Sequence, residues 1–316
     1  MNFIQQAYKG KNDWWRYLST MLLVFVGWQV IGMIPLFAVA WSHVNSMEEL
    51  MMASQDVFSS IGINSSLLLF VIILSFLLGL IALLFSIKYI HLRKIKTLIT
   101  SRNNIDWKRV FYGFSLWFSI SLAMIVVDYF LNSDHYVWNF KLIPFTVLVL
   151  VSFLFMPFQT SFEELLFRGY FMQGLGITFK SAAIPLVVTS IIFGLLHGFN
   201  PEFDKLGPMV MIYFIGTGLL FGITTLMDDG TELSLGMHAA NNIVASVFVT
   251  MNWTSFQTDA LFVDTSEPSL GLETYLPVFI IYPLVIFIFS KKYGWTNWKQ
   301  KLLGNIDEPS IVEYEE

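Results

Sequence analysis

Three short stretches of the chain carry the residue types that acid–base chemistry needs. The first, TSFEELLFRGY from Thr160 to Tyr170, sets Glu163, Glu164 and Arg168 directly after an apolar run. The second closes another apolar run as IIFGLLHGFN, with Phe193 and His197 one helical turn apart. The third, SLGMHAANNIV, puts His238 and Asn242 at i and i+4 on one helix face. Ionisable side chains beside hydrocarbon are costly and mark sites that use them. A carboxylate whose charge is penalised by burial and supported by a nearby imidazole or guanidinium can serve as a general base near neutral pH. With a histidine holding the same water, it can direct attack on a carbonyl. A second histidine and an Asn amide can then donate to the oxyanion, each donor contributing ~3 kcal/mol. Glu164 and Arg168 share a helix face and can pair, whereas Glu163 lies about 100° round the helix. One glutamate can therefore be structural and the other catalytic.

Other chemistries find less support. Two His with one or two Glu could bind zinc, but no helical HExxH is present and the two histidines fall on different apolar segments. The chain has no Cys, which removes disulfides, thiolate ligands and cysteine nucleophiles. Ser161, Ser190, Ser234 and Ser246 lack a G-x-S-x-G setting, and neither a phosphate-cradling glycine loop nor a dinucleotide fingerprint occurs. Nothing in the charge pattern resembles a basic nucleic-acid-binding domain.

The elements that must position these residues lie in a membrane. Hydrophobic residues make up 55% of the 316 and charged residues 13%, with a mean hydropathy of +0.64, against about 45–50% apolar and about 25% charged in soluble domains. With about 20 apolar residues per crossing, the sequence predicts an all-α polytopic protein of about eight transmembrane helices around a central catalytic cavity. The expected spans are roughly 18–41, 66–90, 110–131, 142–160 continuing helically to about 175, 182–199, 208–226, 234–253 and 275–290. The first is expected to be uncleaved, because it is longer than a signal sequence despite Ala38-Val39-Ala40. Connector 91–109 and the stretch after the last span are rich in Lys and Arg, while 42–65 and 254–274 contain none. The positive-inside rule thus predicts a multi-pass cell-membrane protein with both termini cytoplasmic.

Several local expectations follow. Asp128 is expected to reach toward the interface, Gly216, Gly218 and Gly222 to allow close helix packing, and the tail IDEPSIVEYEE to be a solvated acidic end. His197 falls near the outer end of its span and His238 near the inner end of its own. They can share one site only if a span is tilted, short or re-entrant.

Taken together, Glu163-Glu164-Leu165-Leu166-Phe167-Arg168 resembles the EExxxR motif, Phe193-Gly194-Leu195-Leu196-His197 the FxxxH motif, and His238-Ala239-Ala240-Asn241-Asn242 the HxxxN motif of the CAAX protease and bacteriocin-processing (CPBP, or Abi) family. This family includes the type II CAAX prenyl endopeptidases. The resemblance covers about 160–245 and implies a glutamate-type intramembrane endopeptidase. Glu163 would be the general base and His197 its partner on the water. His238 and Asn242 would stabilise the oxyanion, with Glu164, Arg168 and Phe193 in support. The family resemblance favours a mechanism without a metal or other cofactor, zinc remaining the competing reading. The expected partners are membrane lipid and a peptide or membrane-protein substrate, with roles in bacteriocin processing or self-immunity among those the family suggests. Three regions are expected: 1–141 with three helices and the basic connector, 142–253 as the catalytic core, and 254–316 with the last helix and the acidic tail. The rival readings are a non-catalytic membrane scaffold or immunity protein, and a transporter relaying protons through Glu163 and the histidines.

Overall fold

The computed structural model describes residues 1–54 and 58–310. The last six residues of the expected acidic tail, 311–316, lie outside them. In chain order the principal helices are α1 (Trp14–Trp41), α2 (Ser65–Ile90), α3 (Trp107–Leu131), α4 (Leu142–Phe179), α5 (Ala183–Phe199), α6 (Pro208–Asp228), α7 (Glu232–Val247) and α8 (Thr274–Tyr293). Among the described residues six helices, all of these but α5 and α7, are long and apolar enough to cross a membrane. The eight expected spans thus become six of membrane length and two short ones. α5 has 14 α-helical residues before a 3₁₀ turn at His197–Phe199, and α7 has 16 residues. α7 ends earlier than expected because Val249–Thr250 leaves the helix to pair as a strand. It lies parallel to Phe262–Asp264, which pairs antiparallel with Tyr136–Trp138.

α7 is the central element, packed most extensively on α3 and also on α4. Glycines permit this approach. A Cβ on Gly236 would meet the Val110 carbonyl oxygen at 2.0 Å, and one on Gly113 would meet that of Leu233 at 2.5 Å. α6 packs on α5 in the same way, with Gly218 against the backbone of Ser190 at 2.8 Å. Gly216 abuts Val278 and Gly222 abuts Leu186, so all three glycines expected to allow close packing do so.

The helix ends segregate into two faces. At one, the connector 91–106 folds under the α6–α7 turn: Ser101 donates its N–H to Asp229, and Thr231 donates to Ile99. The Asp228 side chain, 1% exposed, accepts from Arg102 at 3.0 Å, from Arg109, and from Trp295 Nε1 at 3.1 Å. Arg102 also pairs with buried Glu232 at 3.1 Å. His91 lies on this face, its ring between the Lys11 carbonyl at 2.8 Å and the Tyr170 hydroxyl at 3.0 Å. Burial pushes its pKa down to about 4. At the opposite face Ser65 donates to Asp259 at 2.5 Å, and the N–H of Asn139 donates to Leu261. Asp128, half-buried near this face, accepts from Asn132 at 2.8 Å and from the Tyr136 hydroxyl.

Candidate active site

The first stretch sits where α4 changes geometry. α4 tolerates Pro157 and is regular as far as Glu164, then winds as a π-helix over Leu165–Phe171. Such π turns inside α-helices occur frequently at functional sites. Glu164 and Arg168 still pair at 3.0 Å, both with fully buried side chains. Arg168 also donates to the Gly218 carbonyl at 3.2 Å, and its guanidinium carbon lies 4.2 Å from the Phe193 ring centroid. This cation is neutralised by a carboxylate and faced by an aromatic ring, which is how a buried guanidinium is accommodated.

His238 from α7 lies between the two glutamates. Its Nδ1 is 2.8 Å from Glu164 Oε1, and its Nε2 is 3.5 Å from Glu163 Oε2. Phe221 stacks on the ring with centroids 5.1 Å apart. A carboxylate paired with arginine can only accept, so His238 carries a proton on Nδ1 and presents Nε2 to Glu163. A lone pair and a carboxylate oxygen facing each other need one proton between them.

Glu163 is held on its other oxygen by a chain of donors of which only Asn242 was expected from the sequence. Trp117 Nε1 donates to Asn241 Oδ1 at 3.1 Å, and Asn241 Nδ2 donates to Asn242 Oδ1 at 3.1 Å. Asn242 Nδ2 donates to Gln159 Oε1 at 2.9 Å, and Gln159 Nε2 donates to Glu163 Oε1 at 2.7 Å. An indole N–H only donates and an ionised carboxylate only accepts, so the two ends fix the direction of every amide between them. Gln159 stands one turn before Glu163 and Asn241 beside Asn242. Polar amides within apolar runs were the signal that could have found them.

His197 occupies a different position. Its Nδ1 is 2.8 Å from the Phe193 carbonyl, which assigns the proton to that nitrogen, and its ring stacks on Phe214 at 4.4 Å. Phe193 separates it from His238, with ring centroids 4.7 Å from His197 and 6.0 Å from His238. Glu163, His197, His238, Asn242 and Phe193 nevertheless line one cavity of about 590 Å³, together with Gln159 and Asn241. His197 and His238 thus line one cavity even though they fall at opposite ends of their spans. Glu164 and Arg168 lie behind this wall.

A catalytic zinc takes three protein ligands. Among the described residues no three His, Asp or Glu side chains converge as such a set. The donors around His238 therefore do not make up that set.

Residues 142–244, which contain all three motifs and the Gln159 and Asn241 amides, match the family described as "Type II CAAX prenyl endopeptidase Rce1-like". Over this core the chain is similar to the Rce1-like family. The Rce1-like family is a protease family, and the matched segment runs from the start of α4 into α7. The chain is also 29% identical over 252 residues to the uncharacterized protein YyaK of Bacillus subtilis (strain 168), covering 79% of this chain and 83% of that protein. No solved structure matches the chain.

Proposed function

We propose that this Rce1-like protein is an intramembrane endopeptidase of the glutamate type, hydrolysing a peptide bond in a membrane-associated or lipophilic peptide. The observation that carries this reading is the cavity-facing pair Glu163 and His238, backed by the buried Glu164–Arg168 ion pair.

Chemistry follows from the hydrogen-bond directions. Glu163, the one carboxylate of the motif lining the cavity, takes a proton from water as the water oxygen attacks the scissile carbonyl. The carbonyl C–O π bond opens to an oxyanion. Asn242 has one amide hydrogen on Gln159 and keeps a second for that oxygen, and His238 in its protonated form supplies another donor. His197, with its proton directed to the Phe193 carbonyl, has a lone pair on Nε2 to hold the attacking water. The proton on Glu163 then passes to the departing amine as the C–N bond breaks, which restores the carboxylate. Glu164 and Arg168 fix the tautomer of His238 and touch no reacting atom. In this reading the basic face is cytoplasmic, with both termini on that side.

Mass spectrometry of new peptide termini in membranes carrying wild-type protein or Glu163→Gln tests the reading. Termini present only with wild type are expected. Identical sets of termini would count against proteolysis.

A further inference from the structure

The two faces of the molecule differ in charge. Of the 18 Lys and Arg, only Lys141, Arg168 and Lys205 lie away from the face formed by the connectors 91–109, 180–182 and 229–231 and by the two terminal segments. By the positive-inside rule that face is cytoplasmic. The cavity runs the other way. From Glu163 and His238 it extends to Phe199, Glu202 and residues 253–258, all at the opposite end, and none of its lining residues comes from the basic connectors.

The mouth has its own chemistry. Glu202 accepts from the N–H and the hydroxyl of Ser255, both at 2.8 Å, so a carboxylate is fixed across the rim. Among the described residues no Lys or Arg lines the cavity, and apolar side chains such as Leu68, Ile72 and Phe214 form much of its wall. A carboxylate held in place without a cationic neighbour in the wall favours a positive charge on whatever enters.

We infer that the cavity receives its substrate from the face opposite the basic connectors, and that this substrate is a peptide apolar where it reaches Glu163 and cationic where it passes Glu202. The inference rests on the proteolytic reading for the word substrate, but its geometry does not depend on catalysis.

The absence of native cysteine makes the test direct. Single cysteines are placed at the rim (Thr254→Cys), in the cavity wall (Ala245→Cys) and on the basic connector (Asn104→Cys), and intact cells are treated with a small membrane-impermeant cationic thiol reagent. Thr254→Cys and Ala245→Cys are expected to react in intact cells, and Asn104→Cys only after lysis. Reaction of Ala245→Cys only from the Asn104 side, or from neither side, overturns the access route. In the purified Ala245→Cys protein, a peptide of eight leucines flanked by lysines is expected to slow labelling at least severalfold more than its glutamate-flanked counterpart. Glu202→Gln should remove that difference. Equal protection by both peptides overturns the charge assignment. These readouts survive if Glu163→Gln proves that no peptide bond is cleaved, so the two ideas fail separately.

Discussion

His238 Nε2 stands 3.5 Å from Glu163 Oε2, while its Nδ1 is held 2.8 Å from Glu164 Oε1. One imidazole therefore joins a carboxylate open to the cavity to one sealed behind it. With Arg168 cancelling the charge of Glu164, a single proton shared by Glu163 and His238 leaves the array neutral. The two adjacent glutamates of the sequence thus separate into one that lines the cavity and one sealed behind it.

Removing one partner of the sealed ion pair strands a buried charge, which costs about 3–5 kcal/mol. Arg168→Ala is expected to lose stability of that order in thermal unfolding of the detergent-solubilised protein. Glu164→Gln combined with Arg168→Met should recover a large part of the loss, because no orphan charge remains.

The amide chain ending on Glu163 makes a separate prediction. A hydrogen bond to a charged group contributes ~1.5–3 kcal/mol, so Gln159→Ala is expected to lower kcat about 10- to 100-fold with little change in KM. Trp117→Phe, four hydrogen bonds from the carboxylate, should have a smaller effect in the same direction. Equal and large effects from both would point to a general loss of structure, which circular dichroism would reveal.

His91 predicts acid sensitivity on the basic face. Its folded-state pKa of about 4 lies below the unfolded value near 6.5, so the unfolded chain binds the extra proton between these values. Its contribution to stability is complete above pH 6.5 and is lost as pH falls toward 4. A melting-temperature series across this window should show a decline that is shallower in His91→Gln.

Chelation separates the two readings of the histidines. Because the donors around Glu163 and His238 do not form a three-ligand set, exhaustive dialysis against a strong zinc chelator is expected to leave cleavage intact. Loss of activity restored by stoichiometric zinc would reverse that conclusion.

The Glu164–Arg168 pair was legible because i and i+4 residues share a helix face whatever the rest of the fold does. The Glu163–His238 contact was not, since it depends on how α4 and α7 cross and on the π turn that begins at Leu165. Trp117 was out of reach for a similar reason: it meets Asn241 across 124 positions of sequence. The apolar runs located all eight principal helices, but hydropathy alone overstated α7, whose last expected residues pair as a strand at Val249–Thr250. His197 and His238 line one cavity, which the span boundaries had made difficult to foresee.

The central claim is tested most directly by the rate at which purified protein in lipid nanodiscs hydrolyses a substrate peptide identified from membranes, wild type against Glu163→Gln. A general base contributes about 10²- to 10⁴-fold, so Glu163→Gln is expected to retain its melting temperature and lose at least about 100-fold in kcat. A folded Glu163→Gln that cleaves at the wild-type rate would contradict the assignment of Glu163 as the base.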